Sequence, residues 1–293
     1  MNPLIEIHSS PHLAECEERA FVLTAVGIPS EVTFEGGLFR LWVDESVVVL
    51  ATRHLAQYEA ESRVVPAPPP PPPEERHGGA WIGALLYAFV LLGASFAIAR
   101  GIGPLDAFAR GELDASRVQQ GEWWRAVTAL VLHRDAEHLA GNLVFGVWIG
   151  YFAGRRLGPG LAWCAIVLSA SLANLLDALI GPAVYRSVGA STALFAAIGI
   201  LAAYTWRERH RTARRWAPRW GPLVAGIVLL GWTGSQGENT DLVAHAAGFV
   251  LGAVTGSLLA LPSASRLRQR TTQGIAGLAT FALLAVAWIR ALV

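Results

Sequence analysis

Beyond residue 78 the chain alternates long apolar runs with shorter polar connections. Seven runs stand out, at 79–99, 138–154, 161–180, 189–206, 221–236, 242–261 and 273–292. Several are near the minimum length for a helix crossing a hydrocarbon core about 30 Å thick, so the pattern predicts seven transmembrane helices. Residues 1–63 read differently, as a small α+β domain. LIEIH at 4–8 predicts a strand, and residues 12–27 predict a helix ending at Gly27. EVTF and LFRLWV flank Gly36-Gly37 as a hairpin, and a second helix follows Asp44 as its N-cap, carrying Val47, Val49, Leu50 and Leu55. Residues 64–78 join the two parts. Their proline core at 66–73 reads as a stiff polyproline spacer of roughly 25 Å, at about 3.1 Å per residue.

Composition agrees with a membrane protein. Of 293 residues, 53% are hydrophobic and only 15% charged, and the mean hydropathy is +0.42. All 23 basic residues are arginine. The charges are segregated: residues 1–63 hold ten acidic residues against four arginines, while the remainder holds 12 acids against 19 arginines. Arg155/Arg156, the cluster from Arg207 to Arg219, and Arg266, Arg268 and Arg270 fall in alternate connections. The positive-inside rule then places the N-terminal domain in the cytoplasm, with loops 100–137, 181–188 and 237–241 outside. The arginines of loop 100–137 are the discordant element, and long loops obey the rule weakly. Cys16 and Cys164 fall in different parts and form no metal or redox motif. The N-terminus shows no basic and apolar signal-peptide pattern. His8, His12 and His54 are scattered and read as surface histidines.

Polar groups at membrane depth are costly, so each one asks for a reason. The candidates are His138 and Asn142 in HLAGN, Asp177, Ser191 in GAST and His245 in AHAAGFVLG. Counting about 1.5 Å per residue from the Arg-rich ends puts Asn142 roughly 20 Å up, Ser191 roughly 22 Å and His245 roughly 25 Å. Three runs therefore present Asn, Ser and His at one level, some 5–10 Å below the outer boundary of a core about 30 Å thick. A serine hydroxyl needs a base to become a nucleophile, and histidine titrates in the right range. His138 and Asn142, at i and i+4, point the same way and supply donors for an oxyanion. Small hydroxyls are also ordinary packing residues in membrane helices, which is the competing reading of Ser191. Asp241, four residues before His245, reads as the N-cap of the sixth run and not as a triad carboxylate. Asp177 is assigned no chemistry. Gly248 and Gly252 form GxxxG, which permits close packing of the sixth run on the fourth. HRDAEH holds His133, Asp135 and His138, but its spacing is not that of HExxH, and no metal is expected.

EWWRAVTALVLH, then HLAGN, then GAST, then AHAAGFVLG, in this order and on these runs, resembles the rhomboid intramembrane serine proteases over about residues 79–261. The resemblance implies Ser191 as nucleophile and His245 as general base in a dyad without a carboxylate, with His138 and Asn142 forming the oxyanion hole. It implies supporting roles for Gly189 of the GxS motif, for Trp124 and Arg125 as a structural WR element in the first outer loop, and for His133. Phe195 falls where the family has an aromatic against the catalytic histidine, and Gly252 where the fourth and sixth helices touch. One position departs from the pattern: Thr192 stands where the family usually has glycine, and a β-branched side chain there raises the question of a narrowed site.

The fold expected is an all-α polytopic membrane protein. A six-helix rhomboid-like core (79–261) is followed by a basic loop and seventh helix (262–293) and preceded by the soluble α+β domain. The function expected is cleavage of transmembrane segments of membrane proteins within the lipid bilayer, without a cofactor and without nucleic acid. Substrate is expected to enter past the fifth membrane helix and the GSQGENT connection. The alternatives are a catalytically silent member that binds membrane helices, and a transporter, for which no inverted repeat is visible. The expected location is a bacterial inner membrane, with the active site opening to the outer face and the N-terminal domain available to a cytoplasmic partner.

Overall fold

Alternation along Leu38–Asp44 buries Leu41 and Val43 and leaves Arg40 and Trp42 on the other face, the signature of a strand covered on one side. In the computed structural model, which describes residues 3–62, 77–102, 106–212, 216–234 and 242–293, this strand is β3 of an antiparallel sheet. The sheet order is β1 (Leu4–Ser10), β3, β2 (Ser30–Glu35), with α1 (Leu13–Ala25) and α2 (Val48–Ser62) beside it. Val32 pairs with Leu41, and Leu23, Ile28, Ala51 and Leu55 complete the core. Gly27 ends α1 with a positive φ of 78°: its N–H donates to Thr24 O and that of Ile28 to Leu23 O, a Schellman closure. Gly36 and Gly37 both have positive φ, as a two-residue primed hairpin turn requires. Asp44 accepts from Ser46 N and caps a short 3₁₀ turn that leads into α2.

The chain divides into two compact units, Met1–Pro72 and Pro73–Val293. The second is helical. It contains α3 (Ala80–Ala99), three short helices α4 (Ala107–Gly111), α5 (Ala115–Gln119) and α6 (Arg125–Thr128), and then α7 (Ala136–Leu157), α8 (Pro159–Ile180) and α9 (Ser191–Thr212). It ends with α10 (Trp216–Gly234), α11 (Leu242–Leu259) and α12 (Arg270–Leu292). Each of the seven apolar runs is thus occupied by a long helix. Among the described residues α3, α8, α11 and α12 are long and apolar enough to cross a membrane. The other three have lower average hydropathy for visible reasons: α7 ends in Arg155-Arg156, α9 in the charged Arg207-Glu208-Arg209, and α10 starts at the Arg-rich connection. The polyproline spacer, Asp241 and the Ser235–Thr240 part of the GSQGENT connection lie outside the described residues.

Helix α9 sits at the centre, packed by α7, α8, α10 and α11. Its Ala196 and Ile200 are fully buried. Packing on α11 is backbone to backbone. A Cβ built on Gly252 would lie 2.1 Å from Ala196 O, one on Gly256 2.3 Å from Ile200 O, and one on Gly199 2.1 Å from Phe249 O. Small residues allow this approach, and in hydrocarbon such packing, not water exclusion, holds helices together. A hydrogen bond of 2.9 Å between Ser169 and Thr255 hydroxyls ties α8 to α11.

Gly252→Ala is expected to cost at least about 2 kcal/mol, because the obstacle is a carbonyl of the facing helix and neither backbone can yield locally. Gly93→Ala, whose added Cβ meets nothing within 4 Å, is expected to stay within about 1 kcal/mol of the parent. Thermal midpoints of the two variants in one detergent check the contrast.

Candidate active site

The site begins at a turn. Residues 187–190 lead into α9, whose first residue is Ser191, and three hydrogen-bonded links fix that turn. Arg186 and Ser187 form strand β5, paired antiparallel with β4 (Leu113–Asp114). Gly189 N donates to Ala129 O at 2.9 Å, and Ala190 N approaches His133 Nε2 at 3.5 Å. Gly189 has φ of +134°, and a Cβ there would lie 2.6 Å from His138 Cε1. Both backbone and space therefore require glycine before the serine.

Starting a helix at Ser191 leaves its first amides without intrahelical partners, a site of partial positive charge. Close packing of α11 on α9 brings His245, on the first turn of α11, across the interface. His245 Nε2 lies 2.9 Å from Ser191 Oγ. The ring is buried and lies 4.4 Å, centroid to centroid, from that of Phe195, one turn after the serine. The first turn of α7 supplies the third side. Asp135 caps α7 by accepting from His138 N at 2.7 Å, which occupies this carboxylate with a structural task. His138 and Asn142 then both face Gly189: its hypothetical Cβ would be 2.7 Å from His138 Nε2 and 3.7 Å from Asn142 Nδ2. Asn142 is 5% exposed and its Nδ2 has no acceptor among the described residues. Buried amides without a partner are uncommon, and this one faces the Ser191 turn. Ser191, His245, His138 and Asn142 thus converge from three helices. Among the described residues no three His, Cys, Asp or Glu side chains are grouped to hold a metal.

The surrounding residues have identifiable tasks. Arg125 is 3% exposed; its Nε donates to Glu122 Oε2 at 2.6 Å and its Nη1 to Ala109 O and Glu112 O at 2.8 Å each. It therefore folds the segment from α4 to α6 around itself. Trp124 carries Arg290 of α12 over its ring at 5.3 Å. Asn174 of α8 donates to Ala126 O, binding the same segment to the bundle. Gly248 and Gly252 face α9: a Cβ on Gly248 would meet Thr192 O at 2.7 Å and Thr192 Cγ2 at 3.2 Å. Thr192 is itself buried, and its methyl is turned to Gly248. The β-branched residue beside Ser191 therefore fills the α9–α11 interface.

Sequence reading missed Tyr87. Its hydroxyl donates to Asn142 O at 2.8 Å, its ring stacks on Trp163, and it occupies the space over Gly146. No spacing rule links a tyrosine on α3 to a helix 55 residues on. Gly256 was legible, since it continues the four-residue spacing of Gly248 and Gly252.

His133, in the connection before α7, stands 5.1 Å from the His138 ring. Burial first, and the neighbouring His138 second, push its pKa down to about 4 from 6.5. Between these values the unfolded chain holds the proton and the folded chain does not, so stability falls as pH drops from about 6.5 toward 4. A thermal-midpoint series from pH 7.5 to 4.5 is expected to decline less steeply for His133→Gln than for the parent; parallel declines would refute this.

Residues 120–262 match the rhomboid domain model. The chain is 31% identical over 171 residues to rhomboid protease GluP of Bacillus subtilis, covering 57% of this chain and 32% of that protein. It is 35% identical over 132 residues to rhomboid-like protease 3 of Toxoplasma gondii, covering 44% and 49%. It is 30% identical over 133 residues to rhomboid protease GlpG of Serratia proteamaculans, covering 44% and 45%. The chain thus spans from a third to a half of the length of these relatives. The matched segment contains every residue that converges on the Ser191 turn from α7, α9 and α11, and four helices among the described residues are long and apolar enough to cross a bilayer. Residues 120–262 thus carry a rhomboid domain, within a chain whose apolar helices mark it as an integral membrane protein.

Proposed function

We propose that the chain is an intramembrane serine endopeptidase acting on transmembrane segments of other membrane proteins. One observation carries the reading above the others: the 2.9 Å approach of His245 Nε2 to Ser191 Oγ at the head of α9. Relatives named as proteases support it at the level of the family.

The chemistry follows from the positions. His245 Nε2 accepts the hydroxyl proton as Ser191 Oγ attacks the scissile carbonyl, forming a tetrahedral intermediate with a negative oxygen. Asn142 Nδ2, His138 and the first amides of α9 surround the place where that charge develops. Collapse breaks the C–N bond, the imidazolium returns its proton to the leaving amine, and an acyl ester remains on Ser191. A water molecule, deprotonated by His245, then hydrolyses the ester and frees the carboxylate product. Because a helical backbone hides its carbonyls, a substrate must unwind at the cut, and Gly or Pro near that point favours cleavage.

In this reading α3 and α7–α11 are the six helices of the protease core, α12 is a seventh span, and residues 1–63 form a cytoplasmic domain joined by the proline-rich stretch 64–78. The arginine distribution supports that orientation in an inner membrane, with the site opening to the outer face. Substrate enters beside α10.

A fluorophosphonate probe is expected to label the parent protein and leave Ser191→Ala and His245→Ala unlabelled. Equal labelling of all three sinks the proposal. Asn142→Ala is expected to lower kcat on a model transmembrane substrate about 10²- to 10³-fold with a small change in KM, as loss of one oxyanion donor does. Loss of cleavage in both dyad variants, with substrate still bound, separates protease from silent binder.

A further inference from the structure

A second feature of the helical unit lies on the far side of the Ser191 turn. Helix α3 packs on α7 and α8, whereas α12 packs on α8, α4 and α6, so a gap is left between α3 and α12. Behind it is a cavity of about 240 Å³. Its walls are apolar, with Leu86 and Val90 from α3, Trp163 from α8, Gly274 and Leu284 from α12, and Ala190 and Ala193 on either side of Ser191. Ile82 of α3 and Phe281 of α12, which line it, are both exposed, so the cavity is open between the two helices. An apolar cavity of even ~150 Å³ stays dry and takes up apolar molecules. Left empty, its lining forfeits dispersion contacts. In a bilayer the apolar groups at its mouth are lipid acyl chains.

One end of the cavity is marked by charge. Pro159, Gly160 and Gln273 line it, and Arg155 and Arg156 precede Pro159 in the chain at the end of α7. Arg270, Gln273, Gly274 and Gly277 follow the i, i+3, i+4, i+7 spacing of one helix face, so Arg270 stands one turn below the cavity lining. Arg270 and Arg266 are exposed and form no ion pair among the described residues. Gln273 itself is committed: it accepts from Leu161 N and donates to Leu157 O, fixing α12 at the α7–α8 junction.

We infer that the cleft between α3 and α12 is a binding site for an anionic glycerophospholipid, with one acyl chain in the cavity and the phosphate at Arg270 and Arg266. The chain supplies the packing that the protein leaves out, and basic pockets beside membrane helices select anionic headgroups. The occupied cavity backs Ala190 and Ala193, so the lipid forms the rear wall of the turn that carries Ser191. Binding stands independently of the proposed proteolysis.

The test is lipid retention by the full-length protein in mild detergent, read by native mass spectrometry after incubation with dioleoyl phosphatidylglycerol or dioleoyl phosphatidylcholine. The parent is expected to hold one phosphatidylglycerol per chain and to show a raised thermal midpoint with it. Gly274→Phe places a ring in the cavity from a position where an added Cβ meets nothing within 4 Å, and is expected to reduce retention to background without that rise. Val90→Trp, filling from the opposite wall, repeats the test should the first variant misfold. Arg270→Gln is expected to lower the preference for phosphatidylglycerol about fivefold. The proposal fails if the parent retains no lipid, if filling the cavity leaves retention unchanged, or if the two lipids are held equally.

Discussion

The contact on which the helical unit turns is that of α9 with α11, where glycine on one helix meets carbonyl oxygen on the other. A single Cβ at Gly252 would fall 2.1 Å from Ala196 O, far inside van der Waals contact, so the two helices approach closely only because that position has no side chain. In a bilayer, apolar side chains gain nothing by leaving lipid, and intimate van der Waals contact is what remains to hold helices in one register. Register matters here because Ser191 and His245 lie on the first turns of the two helices. A displacement of one residue, about 1.5 Å along the axis, would break the 2.9 Å approach between them.

Holding the serine turn from the other side is the segment between α3 and α7. It is built from short helices that would not persist alone, held by an apolar cluster around Leu113 and Val118 and by one buried guanidinium. Burying Arg125 is tolerable because a carboxylate and two backbone carbonyls receive its N–H groups. Thus folded, the segment offers Ala129 O to Gly189 N, pairs its β4 with β5, and places His133 under Ala190. The consequence is a nucleophile turn clamped along its whole length and open on the face toward His138 and Asn142.

Helix α12 is integrated into the helical unit by specific contacts. Gln273 makes hydrogen bonds to the amide of Leu161 and the carbonyl of Leu157, Arg290 covers Trp124, and Arg110 donates to Leu292 O near the end of the chain. Glycines 158 and 160 leave room for Gln273, so sequence at the α7–α8 junction is matched to a helix more than a hundred residues away. Helices α8 and α12 therefore share the positioning of the segment around Arg125.

Much of this was written locally in the chain. Period, length and hydropathy set the seven helices, Gly27 and the Gly36-Gly37 pair ended and turned the elements of the first unit, and depth counting put Asn142, Ser191 and His245 at one level, because these depend only on neighbours a few residues apart. Motif order then carried the family resemblance. What the sequence left open were the relations between distant residues: that Thr192 turns its methyl to Gly248, that Tyr87 holds the Asn142 carbonyl, that α12 locks onto α8 beside a cavity. Such pairings depend on which faces of which helices meet, and side-chain volumes at crossings 50 to 180 residues apart decide that only once the bundle has closed.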